Sequence, residues 1–114
     1  MPKYVRGDIV WVPFPFSAEE GYKLRPAVVI SSWSRKGSTD YFLCMMSTQP
    51  ETDPYLLELT NADLAEGHVS RTCFIRPTYC FTAAERFIES YFGRLKPDKL
   101  KAVIFTLFTV LTKE

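Results

Sequence analysis

The segment AVVISS, residues 27–32, constrains the fold more than any other part of this 114-residue chain. Its run of apolar and β-branched residues is typical of a strand that is buried on both faces. The segment YFLCMMST, residues 41–48, has a similar character, and the polar stretch between them, residues 33–40, has Gly37 at its centre. Two strand patterns separated by such a turn predict a β-hairpin.

Other segments predict shorter strands separated by connections. The strand candidates are DIVWVPFPF (8–16), YLLEL (55–59), RTCFIRP (71–77) and YFGRL (91–95). Prolines end the first of these strands, which runs into a loop, and a proline ends the third. Residues 17–24, 49–54 and 60–68 have the polar and glycine-rich composition of connections. Residues 78–90 fit either a strand or a turn of helix.

The tail, residues 96–114, predicts an α-helix. Pro97 suits the first helical position and Asp98 the first turn. One apolar stripe predicts packing on a sheet, and it comprises Leu100, Val103, Ile104, Leu107, Phe108 and Leu111. Phe105 and Val110 lie off that stripe and suggest a face that meets another chain. We therefore expect one mainly β domain over residues 1–114, a small, strongly curved antiparallel sheet or barrel with a C-terminal helix.

Composition excludes little and favours a cytoplasmic protein. A net charge of +1 does not by itself demand a nucleic-acid partner, so any anion site must be local. Three cysteines without a CxxC pair, and no apolar leader, indicate a reducing cytoplasm and buried structural thiols. A zinc site would need His68, the only histidine, at a spacing typical of no metal motif. The apolar stretch 103–111 is too short to span a bilayer, and we expect no cofactor.

Three polar features lie at strand ends, while the common enzyme motifs are missing. Arg25 precedes the buried strand, Ser47 and Thr48 end the next one, and Arg76 ends a later one. At one rim of a barrel these groups would suit a phosphodiester, because guanidinium binds phosphate bidentately and a hydroxyl adds a hydrogen bond. By spacing alone, a structural role explains these residues better: the arginines would cap loops and the hydroxyls would end strands. The lone histidine, His68, is in a turn and is more typical of a surface residue than of a catalyst.

The chain contains, in this order, RGDIVWVPFPF, a glycine-bearing loop, KLRPAVVIS, a strand ending in STQ and a later FIRP. This combination resembles the MazF/PemK family of toxin ribonucleases of type II toxin–antitoxin modules. The resemblance runs from Arg6 through the terminal helix. It implies an SH3-like β-barrel of the CcdB/PemK-like kind and a homodimer whose grooves bind single-stranded RNA. It also implies cleavage without metal by the ribose 2′-hydroxyl, and neutralisation by an antitoxin protein.

The same resemblance implies roles for individual residues. The family's catalytic arginine falls on Arg25 and its catalytic threonine on Ser47, although a slip of one residue would make Thr48 the functional hydroxyl. Substrate contacts are expected from Lys23, Tyr22, Gln49, Arg76 and Thr78.

Besides the serine at position 47, two features depart from the family pattern. Thr78 stands where PemK-like members often have an aspartate, and the loop carboxylates of Glu19 and Glu20 would repel RNA. Two other functions therefore stay open. One is an inactive barrel that binds RNA or a protein, and the other is a gyrase-directed toxin of similar fold, whose C-terminal residues have no match here.

Overall fold

Seven antiparallel strands and one C-terminal helix make up the described part of the chain, residues 2–14, 23–50 and 52–113 of a computed structural model. The strands are β1 (Asp8–Phe14), β2 (Lys23–Arg35), β3 (Ser38–Ser47), β4 (Leu57–Leu59), β5 (Leu64–Glu66), β6 (Cys73–Ala84) and β7 (Ser90–Leu95). Short 3-10 turns cover Asn61–Asp63 and Glu85–Phe87, and the helix α1 covers Pro97–Thr112. The mainly β class expected from the sequence is confirmed.

The sheet curls on itself, because its two edge strands are consecutive in sequence. The strand order is β4-β6-β3-β2-β1-β7-β5, so β4 and β5 lie at opposite edges. A flat sheet of seven strands would be about 29 Å across at ~4.8 Å per strand. The four residues between β4 and β5, 60–63, span at most ~14 Å even when fully extended. The sheet must therefore bend into the half-barrel that we observe, which confirms the curved sheet predicted from the sequence.

The hairpin of β2 and β3 is confirmed, but its strands are longer than predicted. The turn is only Lys36 and Gly37, whose φ angles of 43° and 80° suit a tight hairpin turn. Residues 33–35 and 38–40, expected in the turn, are paired, with Arg35 opposite Ser38. At its other end β2 begins at Lys23, within the stretch that the sequence assigned to a connection.

Two apolar cores lie on the two faces of the curled sheet. Every strand contributes to the inner core, which comprises Ile9, Val28, Ile30, Cys44, Met46, Leu59, Leu64, Val69, Cys73, Ile75, Leu95, Val103 and Leu107. The outer core comprises Tyr4, Val10, Val12, Phe14, Ala27, Val29, Tyr41, Leu43, Met45 and Ile88. The middle strands are thus buried on both faces, as the apolar runs in β2 and β3 predict.

Tyr41 anchors the N-terminal segment to the outer core. Its side chain is fully buried, and its hydroxyl accepts hydrogen bonds from the backbone N–H groups of Lys3 and Tyr4 at 3.0 and 3.2 Å. The same hydroxyl donates to Glu85 Oε1 at 3.1 Å. Burial and the nearby Glu85 carboxylate raise the pKa of Tyr41, so the hydroxyl stays protonated and keeps donating.

The helix α1 is confirmed with Pro97 in its first turn, but only half of its predicted stripe faces the sheet. Val103 and Leu107 are buried in the inner core and Leu100 packs against it. Phe108 and Leu111, which the periodicity placed on the same stripe, are 64% and 76% exposed, and Ile104 is also exposed. No helix in the described ranges is long and apolar enough to cross a membrane.

Two strands differ from the sequence prediction. β5 lies in a stretch that was expected to be a connection, and it pairs with β7. The backbones of the two strands approach each other closely at Gly93, where a Cβ atom would lie 2.4 Å from the carbonyl oxygen of Glu66. β6 does not end at Pro77 but continues to Ala84. The pairing with β3 shifts there, because Met45 is opposite Arg76 while Cys44 is opposite Cys80. The residues between Arg76 and Cys80 form a bulge on β6. Pro77 has no backbone N–H, but within a bulge this loses no hydrogen bond to the neighbouring strand.

Candidate functional site

Extending the register of β2 and β3 beyond its last pair places Arg25 and Ser47 opposite each other. The register pairs Ala27 with Met45, and two residues further along each antiparallel strand are Arg25 and Ser47. Side chains alternate between the faces of a strand. Arg25 therefore shares the outer face with Ala27, and Ser47 shares that face with Met45.

The Arg25 side chain is half-buried and packed against an aromatic ring. Its guanidinium carbon lies 5.8 Å from the centre of the Phe14 ring, within the range of a cation–π contact. Its Nε atom is buried and has no hydrogen-bond partner among the described residues. A buried N–H without a partner is costly, so this donor is suited to an incoming acceptor.

Arg76 repeats this arrangement on the same outer face. Arg76 is on β6, opposite Met45 of β3, and its guanidinium carbon is 5.3 Å from the centre of the Tyr79 ring. The rings of Phe14 and Tyr79 are 5.4 Å apart and tilted against each other. The Nε of Arg76 is likewise buried and, within the described ranges, unpartnered. Two cations with unused donors thus flank one aromatic pair, an arrangement suited to binding an extended anion.

The two predicted hydroxyls differ in their surroundings. Ser47 Oγ accepts a hydrogen bond from the backbone N–H of Gln49 at 3.0 Å, which leaves its own O–H available as a donor. Thr48 follows the last residue of β3 and is exposed. Because Thr48 lies beyond the end of β3, the alternation of the strand does not fix where its side chain points, and it lines the same cavity as Arg25 and Ser47.

The hydroxyl of Thr78 is committed to a carboxylate from another segment. Thr78 Oγ1 donates to Asp53 Oδ2 across the loop before β4. This hydrogen bond, one from the backbone N–H of Tyr55 and the charge of Arg76 hold the pKa of Asp53 below its usual value. An ionised carboxylate therefore lies close to Arg76, although position 78 itself carries no acid. No sequence pattern pointed to Asp53, because it lies 25 residues from Thr78 in the chain.

An open cavity of about 450 Å³ brings Arg25, Ser47 and Thr48 together with residues that the sequence analysis did not select. Its remaining polar lining comes from His68, Ser70 and Arg71, and its apolar wall includes Trp11 and Phe92. The rings of Trp11 and Phe92 pack 5.2 Å apart. Two of the newly found residues had weak signals in the sequence, since Arg71 opens the segment RTCFIRP and His68 is the only histidine. Only the fold brings them beside Arg25.

The other predicted residues are placed less decisively. Lys23 is exposed at the start of β2, opposite Phe14, and Gln49 is exposed just beyond Ser47. Tyr22, Glu19 and Glu20 lie outside the described residues. Among residues 2–14, 23–50 and 52–113, no cluster of three His, Cys, Asp or Glu side chains could hold a metal ion.

Comparison with known proteins gives one family and a consistent set of similar structures. The family model for the PemK-like, MazF-like toxin of type II toxin–antitoxin system matches residues 5–111. An endoribonuclease from a Mycobacterial species, in complex with its cognate antitoxin, has a TM-score of 0.72 at 18% identity, with 97% of each chain covered. An endoribonuclease from Mycobacterial species also gives 0.72 at 18% identity, over 97% of this chain and 93% of that one.

The MazE–MazF crystal structure from Deinococcus radiodurans has a TM-score of 0.69 at 21% identity, with both chains fully covered. At these identities the structural likeness supports the fold alone, and the family model covers most of the chain. No curated protein sequence matches the chain significantly.

Proposed function

The chain belongs to the PemK-like, MazF-like toxins of type II toxin–antitoxin systems, and on that basis we propose that it is an endoribonuclease that cleaves single-stranded RNA without a metal ion. The observation that carries this proposal is the pair of half-buried arginines, Arg25 and Arg76, whose Nε donors have no partner among the described residues. A phosphodiester supplies the oxygens that such donors bind.

In the proposed reaction the RNA itself supplies the nucleophile. The 2′-hydroxyl of a ribose gives its proton to water and its oxygen attacks the adjacent phosphorus. The bond to the 5′-oxygen of the next nucleotide breaks, that oxygen takes a proton from water, and a cyclic phosphate remains. Arg25 stabilises the extra negative charge of the pentacovalent transition state rather than moving a proton, because a guanidinium group holds its proton too tightly to act as a base. Arg76 adds a second positive charge on the same face.

We assign the functional hydroxyl to Ser47 rather than to Thr48. The register places Ser47 opposite Arg25 and on the same face, and its O–H is available to donate to a phosphate oxygen. Thr48 lies beyond the last residue of β3, outside the paired strand, although it lines the same cavity. Serine keeps the donor that the family's threonine provides at this position, so the departure in sequence preserves the chemistry.

The cavity beside Arg25 would hold nucleotides next to the cleaved bond. Its lining includes the charged Arg71 and the aromatic pair Trp11 and Phe92, and aromatic faces stack on bases of any sequence. Lys23 and Gln49 lie exposed at the adjoining strand ends and would reach the backbone. Sequence preference would arise from the shape of this groove and from base contacts.

We further propose a homodimer and a cognate antitoxin that occupies the RNA groove. The exposed apolar side chains of Phe105, Phe108 and Leu111 on α1 form a surface that a second chain would cover. The antitoxin proposal rests on family membership and on the antitoxin complexes formed by similar structures.

The test is cleavage of a long single-stranded RNA by purified protein in EDTA, with the 5′ ends of the products mapped. We expect cuts at a recurring short sequence, lost in Arg25→Ala and retained in Arg86→Ala. Arg86 is a matched control, because it is an exposed arginine that stacks on Phe87 away from the cavity. If folded wild-type protein binds RNA but never cuts it, catalysis is refuted and the inactive binding module takes its place.

A further inference from the structure

Two of the three cysteines face each other across neighbouring strands. Cys44 on β3 is directly opposite Cys80 on β6, and both side chains pack with the inner core. The two thiols lie close enough to affect each other's ionisation. Cys73, the third cysteine, is buried two residues before Ile75, and its thiol contacts the carbonyl oxygen of Arg71 at 3.5 Å.

This pairing satisfies the geometry of a disulfide. Directly opposite residues of an antiparallel pair have Cα atoms about 4.5–5.5 Å apart. Disulfides bridge Cα atoms that are about 4.4–6.8 Å apart. Since Cys44 and Cys80 are register partners whose side chains share a face of the sheet, their expected spacing falls in the range that a disulfide can bridge.

The two thiols differ in access and acidity, which gives them different roles. Cys80 is half-exposed, whereas Cys44 is fully buried. The neighbouring Cys44 thiol lowers the pKa of Cys80, while the neighbouring Cys80 thiol and burial raise the pKa of Cys44. The more accessible and more acidic sulfur is the one that an oxidant reaches first, because the thiolate is the reactive form.

Both thiols also hold the bulge that carries Arg76. Cys44 Sγ donates to the carbonyl oxygen of Arg76 at 3.2 Å, and Cys80 Sγ donates to that of Pro77 at 3.4 Å. Converting the thiols to a disulfide removes both S–H donors. Oxidation would therefore act directly on the segment that places one of the two site arginines.

We propose that Cys44 and Cys80 are a redox-active pair that hydrogen peroxide converts to an intramolecular, cross-strand disulfide. The Cys80 thiolate attacks one peroxide oxygen, the O–O bond breaks, and Cys80 becomes a sulfenic acid as hydroxide leaves. The Cys44 sulfur then attacks the Cys80 sulfur and expels the sulfenic oxygen, which leaves as water. Two thiols and one peroxide thus give one disulfide and two waters, and a thiol reductant reverses the change.

The experiment treats folded, fully reduced protein with hydrogen peroxide and measures its intact mass without reductant. We expect a monomer lighter by two hydrogen atoms, with one free thiol left and full reversal by dithiothreitol. Trypsin leaves Cys73 and Cys80 in one peptide, residues 72–86, so chymotryptic cleavage after Phe74 is needed to separate them. The cross-linked peptides should contain Cys44 and Cys80. This readout does not depend on RNA cleavage, so it can fail or succeed independently of the proposed function.

Variants sharpen the test. Cys73→Ser should form the same cross-link, and Cys80→Ser should abolish it. In Cys44→Ala, a sulfenic acid at Cys80 should accumulate and react with dimedone. If a variant does not fold, the peptide map of the wild-type protein decides alone. A cross-link that includes Cys73, a disulfide between two molecules, or oxidation without any cross-link would overturn the proposal.

Discussion

Replacing Ser47 and Thr48 separately tests the assignment of the functional hydroxyl, because both line the cavity beside Arg25 but only Ser47 belongs to the strand β3. In Ser47→Ala the transition state loses one hydrogen bond to a charged phosphate oxygen. Such a bond contributes about 1.5–3 kcal/mol. At ~1.4 kcal/mol per factor of ten, we expect the rate of the chemical step to fall by about 10- to 150-fold. Thr48→Ala should change that rate by less than ~3-fold, the level of an ordinary exposed substitution.

The assay is single-turnover cleavage of a short fluorescent RNA that contains the mapped site, with enzyme in excess. Under these conditions the rate reports the chemical step rather than product release. Ser47→Thr is the matched control, because it keeps the hydroxyl, and it should retain most of the activity. Ser47→Ala also removes the acceptor for the backbone N–H of Gln49, so each variant must show the thermal unfolding midpoint of a folded protein. A larger loss in Thr48→Ala than in Ser47→Ala would refute the register argument.

Three further predictions concern stability. Tyr41→Phe should lower the free energy of unfolding by about 2 kcal/mol in a urea titration, since it leaves two backbone amides without their acceptor, and an unchanged midpoint would contradict this. Gly93→Ala should lower the free energy of unfolding by about 3 kcal/mol, because the new Cβ would lie 2.4 Å from a carbonyl oxygen. Gly37→Ala should lower it by only about 1 kcal/mol, because the space around Gly37 is open and only its φ of 80° disfavours alanine. The Thr78 hydrogen bond lowers the folded pKa of Asp53, so its stabilising effect is present above pH ~4 and is lost as the pH falls through that lower pKa. The difference in unfolding free energy between wild type and Asp53→Asn should therefore shrink on acidification, and a difference that grows would refute the assignment.

Local patterns in the sequence were sufficient to predict most elements. The apolar runs of β2 and β3, the glycine between them and the 3.6-residue period of α1 are properties of neighbouring residues, and all three were confirmed. The errors lie where distant segments decide the structure. β5 exists because Gly93 permits a close approach, and β6 continues past Pro77 because a bulge removes the need for its missing N–H.

The candidate site divides in the same way. The sequence selected Arg25, Ser47 and Arg76 through their positions at strand ends and through a family resemblance, and the roles of these residues stay predictions. It did not indicate that Asp53 meets Thr78, or that His68 lines the cavity beside Arg25. Both contacts join residues far apart in the chain, whose proximity depends on how the sheet curls.

By itself, then, the sequence determined the class of fold, the family and the chemistry available, since strand patterns, turn residues and motif residues are all encoded locally. The tertiary structure alone decided which faces those residues share. The register of β2 against β3 places Arg25 beside Ser47, and the bulge in β6 places Arg76 on that same outer face. A shift of one residue in either register would move these side chains to the opposite face, because side chains along a strand alternate with a period of two.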